Sequence, residues 1–365
     1  MIMNDHKPYL QLGTLRLDVP VLSAPVAGFT DRLYRDVIRE FGGCGLIYTE
    51  MVSASGWVEG RISPSRLDGV TDEPRPLGVQ LWDREPDMLR EAARRLGDYD
   101  VSVIDLNFGC PKRRIMGKHG AGATLLRDPK TVGKLIAATV AGAGAIPVTA
   151  KIRLGPARDQ QTATEVARSA EANGAVAITV HGRTAADGYG QECDLDAIAR
   201  VVDAVSIPVI ANGDISDATS ALRTLQRTGA AGVMVARAAL TKPWVFREIT
   251  AALRGEPAPP PPTLHDQLDR LLRHHAAMVE RYGDPGGTIL MRKFACRYLA
   301  EAPFVTRFRR TISTAGSTDE FHAIVGDFAA TLAEMGATQA CGTAQLREGL
   351  PPLVATASEA SSSSR

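Results

Sequence analysis

The chain is poor in cysteine, and what it has is scattered. Cys44, Cys110, Cys193, Cys296 and Cys341 are five in number, widely spaced and form no CxxC. That argues against a disulfide framework and against a zinc site, so no metal is expected. Net charge is almost absent: 42 Lys and Arg against 41 Asp and Glu leave +1. Global charge therefore selects no partner, and any nucleic-acid site has to be a local patch. The opening MIMNDHKPYLQLG has no apolar leader region, and no later stretch could span a bilayer. No membrane is expected, and the cytoplasm is the default address. Also missing are a G-x-G-x-x-G after a strand and a Walker A sequence, which argues against a dinucleotide held in Rossmann fashion. GKHGAG (117–122) lacks that spacing and reads as a flexible loop beside Cys110.

What is present is a repeat. At 44% hydrophobic and 23% charged residues, 365 residues can bury one large core and a smaller one. From residue 21 to about 253, short apolar runs with polar or glycine-marked ends alternate with amphipathic helical patterns. The runs are VLSAPVAG (21–28), LIYTEMV (46–52), PLGVQLW (76–82), VSVIDLNFG (101–109), PVTAKIRLG (147–155), AVAITVHGRT (175–184), PVIANGDI (208–215) and GVMVARAAL (232–240). In EPDMLREAARRL, Met88, Leu89, Ala92, Ala93 and Leu96 share a face and Pro86 suits the first turn. In SDATSALRTLQRTG, Ser216 is the expected N-cap and Gly229 the stop. Eight such units over about 230 residues predict a (β/α)8 TIM barrel, with a doubly wound sheet as the rival.

Polar residues gather at the C-terminal ends of the runs: Glu50, Gln80, Asn107 with Cys110, Lys151 with Arg153, His181 with Arg183, Asn212 with Asp214, and Arg237. A buried strand interior cannot readily carry such groups, whereas a barrel opens all its strand ends onto one face. Cys110 sits where a strand breaks into a glycine loop, a rigid mount for a reactive thiol, although the commoner fate of cysteine is a small buried hydrophobe. Asn212-Gly213-Asp214 and Ala236-Arg237 follow strands seven and eight, the loops that often hold a phosphate in barrels, with Arg237 supplying charge. A mononucleotide fits there, FMN by analogy with other barrels. Lys151 could snorkel, neutralise a core carboxylate or form a Schiff base; His181 alone could be a satisfied strand-end histidine.

The proline-rich EPAPPPPT (256–263) reads as part of a stiff linker, residues 254–263, between a catalytic barrel (1–253) and a small helical domain (264–335). In DEFHAIVGDFAATLAEM, Phe321, Ile324, Val325, Phe328 and Leu332 share a face. Residues 264–310 hold nine Lys/Arg against five Asp/Glu, with Phe294, Tyr298 and Phe308 interleaved. That pattern fits either a phosphate-gripping surface or an ordinary solvated one. The Ala/Ser/Thr/Pro-rich end (336–365) is expected to be disordered.

APVAGFTD (24–31), NFGCP (107–111), KHGAGATLL (118–126), KIRLG (151–155), HGRT (181–184), IPVIANGDI (207–215) and KPWVFREI (242–249) occur in the order in which the bacterial tRNA-dihydrouridine synthases carry them. The chain resembles that family over residues 10 to about 310, and within it the B-type branch. The resemblance implies an FMN enzyme that reduces the C5–C6 double bond of a uracil base in tRNA, with NADPH or NADH as transient reductant. It places Pro25, Val26, Ala27, Gln80, Lys151, His181, Asn212, Gly213, Asp214, Ala236 and Arg237 around the flavin. Lys151 becomes a positive charge near the electron-rich edge of the reduced ring. Cys110 becomes the general acid, giving its proton to C5 after hydride reaches C6 from the flavin. A thiol of reference pKa about 8.5 is mostly protonated at neutral pH and suits that role. Asn107, His181 and Arg183 would orient the uracil or the adjacent backbone phosphate. The base must be flipped into the barrel mouth, and the helical domain would hold the tRNA body. A monomer is expected.

Three positions depart from the family pattern. Ala185 stands where an arginine usually follows HGRT, Ala236 replaces a glycine, and Phe294 follows Arg292-Lys293 in place of a histidine. The first and third remove possible RNA contacts; Ala236 still offers its N–H to phosphate if its φ is negative. Two other readings remain: a flavin reductase acting on a free pyrimidine, and a tRNA-binding protein with secondary catalysis. An aldolase built on Lys151 lacks any sign of a carbonyl substrate.

Overall fold

The computed structural model describes residues 9–62, 67 and 69–334. The expected tail at 336–365, with Cys341, lies outside the described residues. The chain divides into two compact units, the first through Pro260 and the second from Pro261.

The first unit opens with an antiparallel hairpin, β1 (Leu10–Leu12) and β2 (Leu15–Leu17). Parallel strands and helices then alternate. The strands are β3 (Val21–Ser23), β4 (Ile47–Tyr48), β5 (Val52–Ser53), β6 (Leu77–Trp82), β7 (Val103–Asn107), β8 (Val148–Arg153), β9 (Ala177–His181), β10 (Val209–Asn212) and β11 (Gly232–Val235). The helices are α1 (Arg32–Phe41), α2 (Ala54–Val58), α3 (Pro86–Leu96), α4 (Pro129–Ala143), α5 (Ala163–Ala172), α6 (Leu195–Val202), α7 (Ala218–Thr228) and α8 (Val245–Arg254). Strand order is β3-β11-β10-β9-β8-β7-β6-β4, with β5 continuing the β4 run beside β6. The ends meet where Ser23 N–H donates to Leu46 O at 3.0 Å and Gly45 N–H to Val21 O at 2.8 Å. The sheet is a (β/α)8 barrel.

Side chains on a strand alternate between the two faces of the sheet. The inward set at the N-terminal end, Leu22, Leu46, Val103, Ala177, Ile210 and Met234, packs with Leu10, Leu12 and Leu17 of the hairpin. The hairpin therefore plugs the bottom of the barrel, opposite the C-terminal mouth. One layer up, Tyr48 lies so close to Gly78 that a Cβ there would come within 2.4 Å of its ring. Only glycine admits the ring at that height.

Helix caps follow local chemistry. Asp128 caps α4, accepting N–H bonds from Lys130 and Thr131, with Pro129 in the first turn. The α7 cap is Asp217, not the expected Ser216: the Asp217 carboxylate accepts the Ser220 N–H at 2.7 Å, and Ser220 Oγ in turn accepts the Asp217 N–H at 3.1 Å. A carboxylate at a helix N-terminus outcompetes a neighbouring hydroxyl because it also meets the helix dipole.

The second unit contains α9 (Leu264–Tyr282), α10 (Gly286–Ala295), α11 (Val305–Ile312) and α12 (Thr318–Glu334). Its core includes Leu268, Leu271, Met278, Met291, Phe294, Phe308, Phe321, Val325, Phe328 and Leu332. His275 stacks on Phe321 with ring centroids 3.9 Å apart, and His274 packs on Phe294 at 4.8 Å. Phe294, Tyr298 and Phe308 are thus core residues, not an exposed stacking surface. The departure at Phe294 changes the core and removes no surface contact.

Candidate functional site

The mouth of the barrel is built by the third inward layer. On β7, Val103 faces the barrel core, so Asp105 and Asn107 follow on the same side. On β8 the same period turns Thr149, Lys151 and Arg153 inward, and β-register sets Asp105 against Thr149 and Asn107 against Lys151. Arg153 pairs in register with His181, and His181 with Asn212. Neighbouring strands thus place Gln80, Asn107, Lys151, His181 and Asn212 side by side around the rim.

On one side lies a directed chain of hydrogen bonds. Gln80 Nε2 donates to Asp105 Oδ2 at 2.7 Å, and Thr149 Oγ1 to Asp105 Oδ1 at 2.7 Å. Gln80 Oε1 accepts from Asn107 Nδ2 at 2.8 Å. Asn107 Oδ1 in turn accepts the backbone N–H groups of Gly109 at 3.0 Å and Cys110 at 2.9 Å. An ionised carboxylate can only accept, so Asp105 fixes which way both amides point. Arg153 braces the same loop, donating from Nε to Gly109 O at 2.9 Å and from Nη1 to Thr184 O at 2.8 Å.

Residues 114–118 and 122–127 form short helical turns, so the 117–122 stretch expected as a flexible loop is partly helical, with residues 120–121 irregular between the turns. Its end is held against the thiol loop by the Ala123 N–H, which donates to Cys110 O at 3.1 Å. Gly122, at φ +60°, lies where a Cβ would come within 2.7 Å of the same oxygen. Cys110 itself is half-buried.

Across the mouth, Lys151 Nζ donates to Asn212 Oδ1 at 3.0 Å, and Asn212 Nδ2 donates to Met234 O at 2.8 Å. Burial, and then Arg153, push the Lys151 ammonium down to about 8, against the opposing pull of Asp105 and Cys110. Burial likewise drives His181 down to about 2, helped by Lys151, Arg153, Arg183 and Arg237, so its ring is neutral. Arg183 Nη1 lies 3.3 Å from His181 Nε2. A guanidinium has no acceptor, so Nε2 accepts and the imidazole proton sits on Nδ1.

Arg183 differs from expectation. Its guanidinium is buried, donates to both Asp214 oxygens at 2.8 and 2.6 Å, and also donates from Nε to Gln191 O at 2.7 Å. The fork is committed to holding two loops together. Asp214 also accepts from the Cys193 N–H at 3.1 Å and from Arg237 Nη2 at 3.1 Å. Both oxygens of this carboxylate are occupied by donors, and its charge is compensated. The exposed Arg237 guanidinium lies over the Tyr189 ring at 4.6 Å. The N–H groups of Gly213, Asp214, Ala236 and Arg237 make no hydrogen bond among the described residues. The φ of Ala236 is −118°, outside the left-handed region that would call for glycine. Pro25 and Val26 are half-buried and Ala27 exposed at the end of β3, whose neighbour β11 runs into Ala236.

A family model for dihydrouridine synthases matches residues 22–333. The chain belongs to the dihydrouridine synthase family. It is 40% identical over 311 residues to a probable tRNA-dihydrouridine synthase of Rhodobacter capsulatus, covering 84% of this chain and 95% of that one. It is 40% identical over 324 residues to tRNA-dihydrouridine synthase B of Pseudomonas aeruginosa, covering 87% and 95%. A probable tRNA-dihydrouridine synthase of Rickettsia prowazekii is 36% identical over 305 residues, covering 83% and 92%. Among solved structures, morphinone reductase in complex with tetrahydroNAD aligns with a TM-score of 0.48 and 14% identity, over 70% of this chain and 92% of that one.

Members of the dihydrouridine synthase family are oxidoreductases, because dihydrouridine is uridine with its C5–C6 bond reduced. In this member the site includes residues that the strand-end pattern did not single out. Asp105 and Thr149 lie one layer below the rim, and Cys193 reaches it from the loop before α6, with Sγ 3.7 Å from Asn212 O. Asp105 was legible as the polar residue two before Asn107 in a strand otherwise apolar. Cys193 carries no sequence signal, since a long loop brings it in.

Among the described residues, no group of three or more His, Cys, Asp or Glu could hold a metal ion. Nor is any helix among them long and apolar enough to cross a membrane.

Proposed function

We propose that this chain is a tRNA-dihydrouridine synthase that carries FMN in the barrel mouth and draws reducing equivalents from NADPH or NADH. The observation that carries this reading is the chemistry of the donor set. Four backbone N–H groups without a partner among the described residues, at Gly213, Asp214, Ala236 and Arg237, together with the Arg237 guanidinium, are suited to a phosphate. Lys151 with its two remaining N–H bonds, the Gln80 and Asn212 amides, and the neutral His181 are suited to the polar edge of an isoalloxazine ring. Pro25, Val26 and Ala27 would flank it. Bound FMN would supply the hydride for C6 of the uracil.

The protein's own residues do the rest. Cys110 holds a proton at Sγ and delivers it to C5 as the pyrimidine accepts hydride at C6; the thiolate left behind is reprotonated from water. Asn107 keeps the Cys110 loop in one conformation and presents its remaining polar surface to the base. Lys151, a cation at the rim, favours negative charge developing next to it. Arg183 acts by locking the loops after β9 and β10 together, and its direct contact with substrate is given up in this reading. A stacked uridine must be unstacked to enter, at a cost of a few kcal/mol. The helical unit, whose exposed cations include Arg297, Arg307 and Arg310, would bear on the tRNA body. The protein would work as a monomer in the cytoplasm.

The test is the purified protein's own colour and turnover. It should bind FMN stoichiometrically and oxidise NADPH faster when unmodified tRNA is added. Absence of flavin binding would sink the cofactor assignment, and indifference to tRNA would sink the substrate.

A further inference from the structure

Asp105 is a carboxylate in the middle of a barrel, with no exposure to solvent. Two neutral donors reach it, Gln80 Nε2 and Thr149 Oγ1, each at 2.7 Å, and among the described residues no guanidinium or ammonium is bonded to it. Such a group is expensive to bury unless a positive charge lies near. One does. Lys151 occupies the inward position on β8 directly above Thr149, in register with Asn107, two residues beyond Asp105. Its ammonium is spent on a neutral amide oxygen, that of Asn212.

We propose that Asp105 is a positioning residue whose buried charge keeps Lys151 cationic at the mouth of the barrel. This rests on the reading of Lys151 as the cation beside the flavin, but the electrostatic relation itself does not require flavin. The groups facing Lys151 are Asp105 from β7, Cys110 from the loop after it, Arg153 from its own strand and His181 from β9, with the neutral Asn212 from β10. Tyr48 from β4 faces Asp105 from the other side. Of these only Asp105 is a carboxylate. Arg153 pushes the other way. Burial lifts Asp105 to about 6 while Lys151 falls to about 8, so the pair is doubly charged between those values. Without the carboxylate, burial and Arg153 act on Lys151 against Cys110 and no longer against Asp105.

The experiment measures the Lys151 amine directly. The full chain, freed of bound flavin, is labelled briefly with acetic anhydride across pH 6–10, and modification of Lys151 is read by peptide mass spectrometry. The wild-type midpoint is expected near about 8. In Asp105→Asn, which keeps shape and removes charge, the midpoint should fall by about one unit, making labelling at pH 7 about fivefold faster. Thr149→Val serves if Asp105→Asn does not fold: with one donor lost, Asp105 holds its proton to higher pH, and the midpoint should move the same way. Unchanged midpoints in the variants that fold would overturn the proposal. Because neither FMN nor tRNA is present, that failure is separate from a failure to make dihydrouridine.

Discussion

The Asn107 side-chain oxygen accepts the Cys110 backbone N–H at 2.9 Å, three residues along the chain. The same oxygen accepts from Gly109 at 3.0 Å, and the amide nitrogen is held by Gln80 at 2.8 Å. A strand end, a glycine and a thiol are thereby tied into one unit whose direction is set from the buried Asp105. A general acid has to meet a carbon atom within a fraction of an ångström, and this cap supplies that constraint.

Removing the cap should therefore impair turnover more than folding. Asn107→Ala is expected to lower kcat on tRNA by about five- to thirtyfold, in line with about 1–2 kcal/mol for lost capping bonds. Flavin content should stay near that of the wild type. Steady-state kinetics with a flavin-to-protein ratio checks both, and wild-type kcat would mean that the loop is held by Arg153 and Gly122 alone.

Gly78 is a packing requirement. An alanine there would bring its Cβ within 2.4 Å of the Tyr48 ring, inside a barrel closed on all sides. Overpacking of this kind costs about 1–3 kcal/mol. Gly78→Ala should lower the thermal midpoint by several degrees, measured by calorimetry; an unchanged midpoint would show that Tyr48 can move.

Acid should destabilise the fold, and the sign follows from proton counting. Burial holds His181, His274 and His275 down to about 2, about 3 and about 4, whereas an unfolded histidine titrates near its ordinary 6.5. Within that window the unfolded chain binds more protons, so stability rises with pH up to about 6.5 and levels off above it. Asp105 acts oppositely: raised to about 6, it favours the folded state on acidification, but it is one group over a narrower range. The net loss between pH 7 and pH 5 is expected to be a few kcal/mol, or several degrees in the thermal midpoint. A midpoint that rises on acidification would contradict the neutral state assigned to the three rings.

Much of this was legible in the chain itself, for identifiable reasons. Eight apolar runs with polar ends sufficed for the barrel, because alternation puts every second side chain inside and the open mouth is where charge can collect. The hairpin formed by Leu10–Leu12 and Leu15–Leu17 escaped notice, since three-residue strands are too short for a period to declare itself. Burial was the other blind spot. Arg183 reads as a free fork in HGRT, yet its partners Asp214 and Gln191 come from loops that only the fold brings near. Phe294, Tyr298 and Phe308 interleave with cations in sequence and are buried in space. Asp105 stood in plain view, but its donors Gln80 and Thr149 sit on two other strands.

In the proposed function Cys110 protonates a tRNA uracil in the mouth of this barrel. The most direct measurement is dihydrouridine in unmodified tRNA, mapped by mass spectrometry after incubation with FMN, NADPH and either wild-type protein or Cys110→Ala. The wild type should yield dihydrouridine, and Cys110→Ala an intact flavin spectrum with most of the product lost. Equal product from both proteins would contradict the role of the thiol, and none from a flavin-loaded wild type would contradict tRNA as the substrate.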